Sequence, residues 1–335
     1  MIRVAVVGVS HWHAEGYIRA LCTCGAKVTA VSDDNIEVAR RWGETLGCPA
    51  YPSAEALLAA GRPDLVFALA RHCDMTALAA KLVEENQPFV MEKPMGLRWK
   101  ELALVAARAA ARKLWAGVDF VARTLGLVRH LLELRDSGEL GIVATYTYRL
   151  LAGEPQRYRD MGVPWMLDPA QAGGGPLYNF GPHVFDLFLR LTGEPIQKLH
   201  CWMSHRLHRL PIEDYAHISV RTPSGVVGDM TVGYVCPGSA YDRYFALSTD
   251  RLWVSSPNLG SGTVYWRDGR TSEVPAGPES EDFFLTYTRE TLRRFQAGEP
   301  PAATISEMVP VLRAINEAQV LGDRNLCCHC CQRRG

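Results

Sequence analysis

Pro88-Phe89-Val90-Met91-Glu92-Lys93-Pro94 is an apolar run that ends in a charged pair and a second proline. Proline disfavours the helical region for the residue before it, so the chain cannot pass directly from this run into a helix. The stretch reads as a short strand closed by a turn, and the turn holds Lys93. In an open α/β sheet the turns at the carboxyl ends of the strands form the wall of the ligand crevice. Lys93 is therefore the first candidate functional residue.

The sequence upstream supports that sheet. Residues 2–7 are apolar and rich in β-branched side chains, Gly8 follows, and residues 14–22 can be helical. A second apolar run, 27–32, ends in Asp33, 25 positions after Gly8. That is close to the spacing at which dinucleotide folds place a carboxylate on the adenosine ribose, and an acid there favours NAD over NADP. Residues 35–46 look helical, 53–60 open on Ser53, a residue suited to capping, and 64–69 form a short buried strand. A helix over 74–86, the strand before Lys93, an alanine-rich helix over 98–112 and a strand over 114–118 complete the series. Strands alternating with helices at this pitch predict a doubly wound parallel sheet. We assign residues 1–120 to an NAD(P)-binding domain of the Rossmann type.

Beyond residue 120 the pattern changes. A helix over 124–136 leads through Ser137-Gly138-Glu139-Leu140-Gly141 to an alternating strand over 142–150. Three glycines, 173–175, precede a helix expected around 182–191. Strand-like runs follow at 199–204, 216–221, 226–235 and 244–248. They predict an α+β domain over 121–303 with a large, mostly antiparallel sheet, open on one face. That face is a candidate oligomer interface. A final helical stretch, 304–324, contains Pro310 and could pack on the first domain.

Composition excludes several classes of partner. The chain has 36 basic and 36 acidic residues, so it carries no electrostatic footprint for nucleic acid or an anionic membrane. At 335 residues it is long enough for two cores. No apolar run approaches the roughly 20 residues that span a bilayer, and no basic-then-apolar leader precedes Ile2, which together imply a cytoplasmic protein. Of ten cysteines, Cys22, Cys48, Cys73, Cys201 and Cys236 are scattered as small hydrophobes. Cys327, Cys328, Cys330 and Cys331 flank His329 in a segment, 325–335, without helical periodicity. They lack the two-residue separation of zinc ligand pairs, so this segment reads as a disordered tail and no metal is expected.

With the opening strand and Gly8, Glu92-Lys93-Pro94, the 137–141 segment and Gly173-Gly-Gly-Pro-Leu-Tyr-Asn-Phe-Gly-Pro-His-Val-Phe-Asp186 in this order, the chain resembles one family along almost its full length. This is the glucose-fructose oxidoreductase and inositol dehydrogenase family, written Gfo/Idh/MocA. The resemblance implies a Rossmann domain, a C-terminal domain whose open sheet makes homodimer or homotetramer contacts, and nicotinamide-dependent redox chemistry on a sugar, inositol or related polyol. Hydride transfer from an alcohol carbon needs a group that accepts the hydroxyl proton. Lys93 can do so if desolvation lowers its pKa, and His183 is the second candidate. Asn179 and His183, four apart, share one face of a helix and are expected at the interdomain cleft. In the family the position of Asn179 is commonly an aspartate that works with the histidine. An amide cannot exchange a proton, so Asn179 is left to position substrate or the imidazole.

Other positions also depart from the family pattern. The cofactor loop reads Gly8-Val9-Ser10-His11-Trp12-His13 where a full fingerprint has three glycines. Ser10 is small enough for close approach to a pyrophosphate, His13 must make room for an imidazole against the helix, and His11 or Trp12 could cover the ribose or phosphates. A metal site on His11 and His13 lacks a third ligand. At the end of the fourth strand, where the family has Thr-Pro and a later histidine, stand Ala70, Arg71, His72 and Met75. Backbone contacts to the nicotinamide ribose survive that change, and Arg71 could meet phosphate or an acidic substrate. Glu92 joins Lys93 on the cofactor side. Arg123 matches a family arginine near the substrate cleft. Trp165 and Tyr178 are candidate walls for a sugar ring, or else core aromatics, and Asp186 is either structural or a substrate contact. Two further functions stay open: an NAD-dependent glycosidase or lyase without net redox, and a non-catalytic nicotinamide-binding protein.

Overall fold

A computed structural model describes residues 1–276 and 282–331, with side chains as far as Asp323. The elements begin β1 (Arg3–Val7), α1 (Ala14–Thr23), β2 (Lys27–Ser32), α2 (Ile36–Leu46), β3 (Ala50–Tyr51), α3 (Ala54–Ala60) and β4 (Leu65–Ala68). Next come α4 (His72–Glu84), β5 (Phe89–Met91), α5 (Trp99–Ala111), β6 (Ala116–Val118), α6 (Gly126–Asp136), β7 (Val143–Ala152), α7 (Arg157–Asp160), α8 (Pro169–Ala172) and α9 (Pro176–Thr192). The series ends β8 (Lys198–Ser204), β9 (Tyr215–Arg221), β10 (Val227–Gly233), β11 (Tyr241–Thr249), β12 (Leu252–Ser256), β13 (Gly262–Trp266), β14 (Thr271–Val274), α10 (Phe283–Ala297) and α11 (Ile305–Cys331).

Two compact units result. The first comprises Met1–Val121, Tyr158–Trp165 and Asp282–Val309. Its sheet runs β3-β2-β1-β4-β5-β6, parallel throughout, the doubly wound order in which ligands bind where the direction of winding reverses, here between β1 and β4. The central strands are sealed on both faces, as a parallel sheet covered by helices requires. Leu65, Val66 and Phe67 of β4 are each at most 2% exposed, a burial that contributes about 1.5–3 kcal/mol per side chain. Local signals end the helices as the sequence suggests. Asn35 and Ser53 accept backbone N–H groups of α2 and α3, and Gly47 closes α2 in the left-handed region.

Helix α10 also belongs to this unit, although it lies nearly the whole chain away from α1. Asp282 caps it through the Leu285 N–H, and Phe284 lies against Gly16 so closely that a Cβ there would stand 2.5 Å from the ring. Tyr17 stacks edge-on to Phe284. Phe284, Tyr287, Leu292 and Phe295 form the stripe that α10 packs into this core.

The second unit comprises Ala122–Arg157, Met166–Glu281 and Pro310–Gly335. Its eight-stranded sheet runs β14-β13-β12-β11-β7-β10-β9-β8, antiparallel except for the β7/β10 pair. The expected open sheet is therefore present, extended by the short strands β12–β14. One face is buried: Gly228 lies under Phe188 of α9, with no room for a Cβ. The other presents Trp202, Trp253 and Tyr265, each at least 40% exposed. The helix expected around 182–191 starts earlier, at Pro176, and carries Pro182 inside it. Pro310 likewise lies within α11 instead of interrupting it. The tail reading falls on residues whose side chains lie outside the described ones, and residues 332–335 lie outside them altogether.

Candidate functional site

In the first unit the loop after β1 crosses the end of β4. Gly8 has φ +78°, and a Cβ on it would lie 1.9 Å from the Leu69 carbonyl oxygen, so only glycine fits. The Gly8 N–H donates to the Ser32 carbonyl at 2.8 Å, which ties the loop to the end of β2. There Asp33, 4% exposed, accepts the Ser10 N–H at 2.7 Å and the Asn35 N–H at 2.9 Å. Burial raises its pKa, and those two hydrogen bonds oppose the rise. Gly8, Ser10 and Asp33 thus converge as the spacing predicts.

The rest of the loop is aromatic. His11 and Trp12 stack at 3.8 Å, and Trp12 meets the rings of Trp165, Tyr158 and His72 at 5.5, 5.7 and 6.4 Å. Trp165, read from sequence as a wall of the substrate site, therefore belongs to the cluster around the cofactor loop. His72 is buried at the start of α4, 5.2 Å from Trp165. Burial holds the His11 imidazole well below its ordinary pKa, against the pull of Glu92. Its Nδ1 accepts the His13 N–H, so the neutral ring carries its proton on Nε2. Arg71 is held by Asp74 at 2.6 Å and lies 3.4 Å from Asp34.

Glu92 and Lys93 directly follow β5, both 2% exposed. His13 Nδ1 hydrogen-bonds Glu92 Oε1, which links the lysine-bearing turn to the cofactor loop and explains how an imidazole is accommodated in place of the third glycine. Burial pushes the Glu92 carboxyl up, but the His13 and Lys93 charges outweigh it and hold the group well below the usual carboxylate range. Burial lowers the Lys93 ammonium below its ordinary value, with Glu92 opposing. Lys93 is thus a desolvated lysine beside one anion, the environment that poises an amine for proton transfer.

In the second unit α9 carries Asn179 and His183 one turn apart. Its start is built by Glu213, whose carboxylate accepts the N–H groups of Gly175 and Leu177, each at 2.8 Å, as an anion at a helix N-terminus does favourably. A Cβ on Gly175 would lie 2.3 Å from the Glu213 carbonyl oxygen, which accounts for the glycine run. Sequence reading missed Glu213, since a single glutamate 36 residues from Leu177 gives no local sign of its role. Asn179 is buried and donates to the Tyr234 hydroxyl at 3.0 Å, while Tyr178 accepts from Asn316 at 2.8 Å. His183 is half-buried. Arg123 binds Asp186 at two points, 3.0 and 2.6 Å, with both side chains buried. The same pair anchors α9 to the 3-10 turn Val121–Thr124.

A winding-reversal sheet with a glycine turn, a ribose-spaced aspartate and a buried strand-end lysine defines a protein of the dinucleotide-binding oxidoreductase class. Comparison with family models places it more narrowly. "Oxidoreductase family, NAD-binding Rossmann fold" matches residues 2–120, and "GFO/IDH/MocA C-terminal domain" matches residues 128–255. The chain belongs to the Gfo/Idh/MocA oxidoreductase family. Among curated proteins it is 26% identical over 205 residues to D-glucoside 3-dehydrogenase of Escherichia coli, a match spanning 59% of this chain and 56% of that protein's length.

Solved structures share the fold over nearly the whole chain. The WlbA dehydrogenase from Bordetella pertussis, in complex with NADH and UDP-GlcNAcA, superposes with a TM-score of 0.84 at 17% identity, covering 97% of this chain and 96% of its own. UDP-N-acetylglucosamine 3-dehydrogenase GnnA from Acidithiobacillus ferrooxidans gives 0.80 at 21%, covering 96% and 97%. An inositol dehydrogenase homolog complexed with NAD+ from Azotobacter vinelandii gives 0.82 at 18%, covering 96% and 95%.

Proposed function

We propose that the protein is an NAD-dependent dehydrogenase acting on a hydroxyl-bearing carbon of a sugar, inositol or related polyol, with Lys93 and His183 handling the hydroxyl proton. The observation that carries this reading is the buried Lys93, joined through Glu92 and His13 to a loop that only glycine can open at position 8. Bound nicotinamide supplies the hydride acceptor. The residues present fit such a group: Gly8 keeps the loop against β4, Asp33 ends β2 beside that loop at the spacing of a ribose-binding acid, and Ala70 precedes α4, which His72 begins. The relatives named for NAD, NADH, UDP-sugars and inositol support the same substrate class. In this reading Asn179 positions His183 or a substrate hydroxyl, Tyr178 and Arg123 support that helix face, and Trp165 with Trp12 shields the cofactor loop.

Titration with NADH and NADPH, read by energy transfer from tryptophan, tests the cofactor assignment. NADH is expected to saturate the protein at lower concentration than NADPH. Replacement of Asp33 by alanine is expected to cost NADH about 1.5–3 kcal/mol, the range for a hydrogen bond to a charged group, or roughly ten- to a hundredfold in Kd. A wild-type protein that prefers NADPH would overturn the assignment. Net NAD reduction in a screen of polyols and sugars separates the dehydrogenase from a glycosidase that restores its cofactor each cycle.

The exposed face with Trp202, Trp253 and Tyr265 supports a homodimer or homotetramer through the second sheet. Light scattering is expected to give two or four chains, and Trp253→Asp to lower that number. Among the described residues no helix is long and apolar enough to cross a membrane, and we assign the protein to the cytoplasm.

A further inference from the structure

Below the Lys93 turn, inside the first unit, a small cavity is lined by Tyr17, Glu92, Asp119 and Tyr287 together with apolar side chains of β4 and β5. It offers about 10 Å³ to the centre of a water-sized sphere, room for about one water molecule. Three of its polar atoms, Tyr17 Oη, Glu92 Oε2 and Asp119 Oδ1, have no hydrogen-bond partner within the protein, and their residues are 2%, 2% and 3% exposed. Tyr287 is satisfied, since its hydroxyl donates to the Val118 carbonyl. Three buried polar atoms around a space the size of one water molecule is the arrangement in which buried waters are found.

We propose that this cavity is a built water site, in which one water joins Tyr17, Glu92 and a protonated Asp119 and thereby positions Glu92 beneath the lysine. Charge, not the count of donors, argues for the proton, because one water could donate to two carboxylates at once. Glu92 is an acceptor held by His13 on its other oxygen, and a second ionised carboxylate, buried and facing the same water, would leave two anions in one small space. A neutral Asp119 removes that repulsion and supplies a donor. Burial raises Asp119 well above the ordinary carboxylate range, opposed only in part by the Val121 N–H. With the Tyr17 hydroxyl as the second donor, the water receives hydrogen bonds from both Asp119 and Tyr17 and donates to Glu92. Glu92 then remains the single anion beside Lys93, its Oε1 on His13 and its Oε2 on the water. Asp119 and Tyr17 act through Glu92 as positioning residues.

Infrared spectroscopy of the purified protein at neutral pH tests this without turnover, so its outcome is independent of the proposed dehydrogenase activity. The wild type is expected to show the carbonyl stretch of a protonated carboxyl, above the amide band and shifted in heavy water. Asp119→Asn should lose it, and Tyr17→Phe, which keeps the ring but removes one donor to the water, should move it. A wild type without the band, a band that survives Asp119→Asn, or one unmoved by Tyr17→Phe would overturn the proposal. A crystal structure at a resolution that shows ordered water gives a second readout, with density expected within hydrogen-bond distance of all three atoms and an empty cavity counting against it.

Discussion

Lys93→Ala is expected to lower turnover roughly a hundredfold to ten-thousandfold, the span of a lost general acid or base, while the protein stays folded. The lysine is buried and partnered by Glu92, so its ammonium is held below lysine's ordinary range by desolvation. Alcohol oxidation needs the neutral amine. Its rate should therefore rise with pH through that lowered pKa, and the rising limb should vanish in the variant. Lys93→Met, which preserves most of the volume, controls for packing. The two variants should share the same loss of turnover and retain NADH binding within a few-fold. Unchanged turnover in Lys93→Met would remove the lysine from the chemistry and shift the proton to His183.

The second large effect is on stability. Asp186→Ala leaves the Arg123 guanidinium buried without the carboxylate that meets it at 2.6 and 3.0 Å. Breaking a buried ion pair from one side costs about 3–5 kcal/mol, because the remaining charge stays desolvated. Urea denaturation should show the second unit's transition at lower denaturant, with an unfolding free energy reduced by that amount. The double variant Arg123→Met with Asp186→Leu should recover much of the loss, since it removes both charges together. A single variant that costs less than about 1 kcal/mol would mean that the pair is solvated in solution and that Arg123 is free to face substrate.

The chain's own sequence determines a good deal of this. Gly8, Asp33 and the Glu92-Lys93-Pro94 turn are legible because each is a local response to backbone geometry or to a fixed spacing along a strand-helix unit. The pairing of Asn179 with His183 follows from helical period once the segment is known to be helical. Tertiary structure alone decides the rest. Trp165 joins Trp12 from more than 150 positions away, α10 closes on Gly16 through Phe284, Glu213 starts α9, and Asp119 meets Tyr17 and Glu92 around one cavity. None of these pairings leaves a period in the sequence. A carboxylate or an indole reads the same in a list of residues whether it faces water or another strand, and its charge state and partner depend on what the fold packs around it.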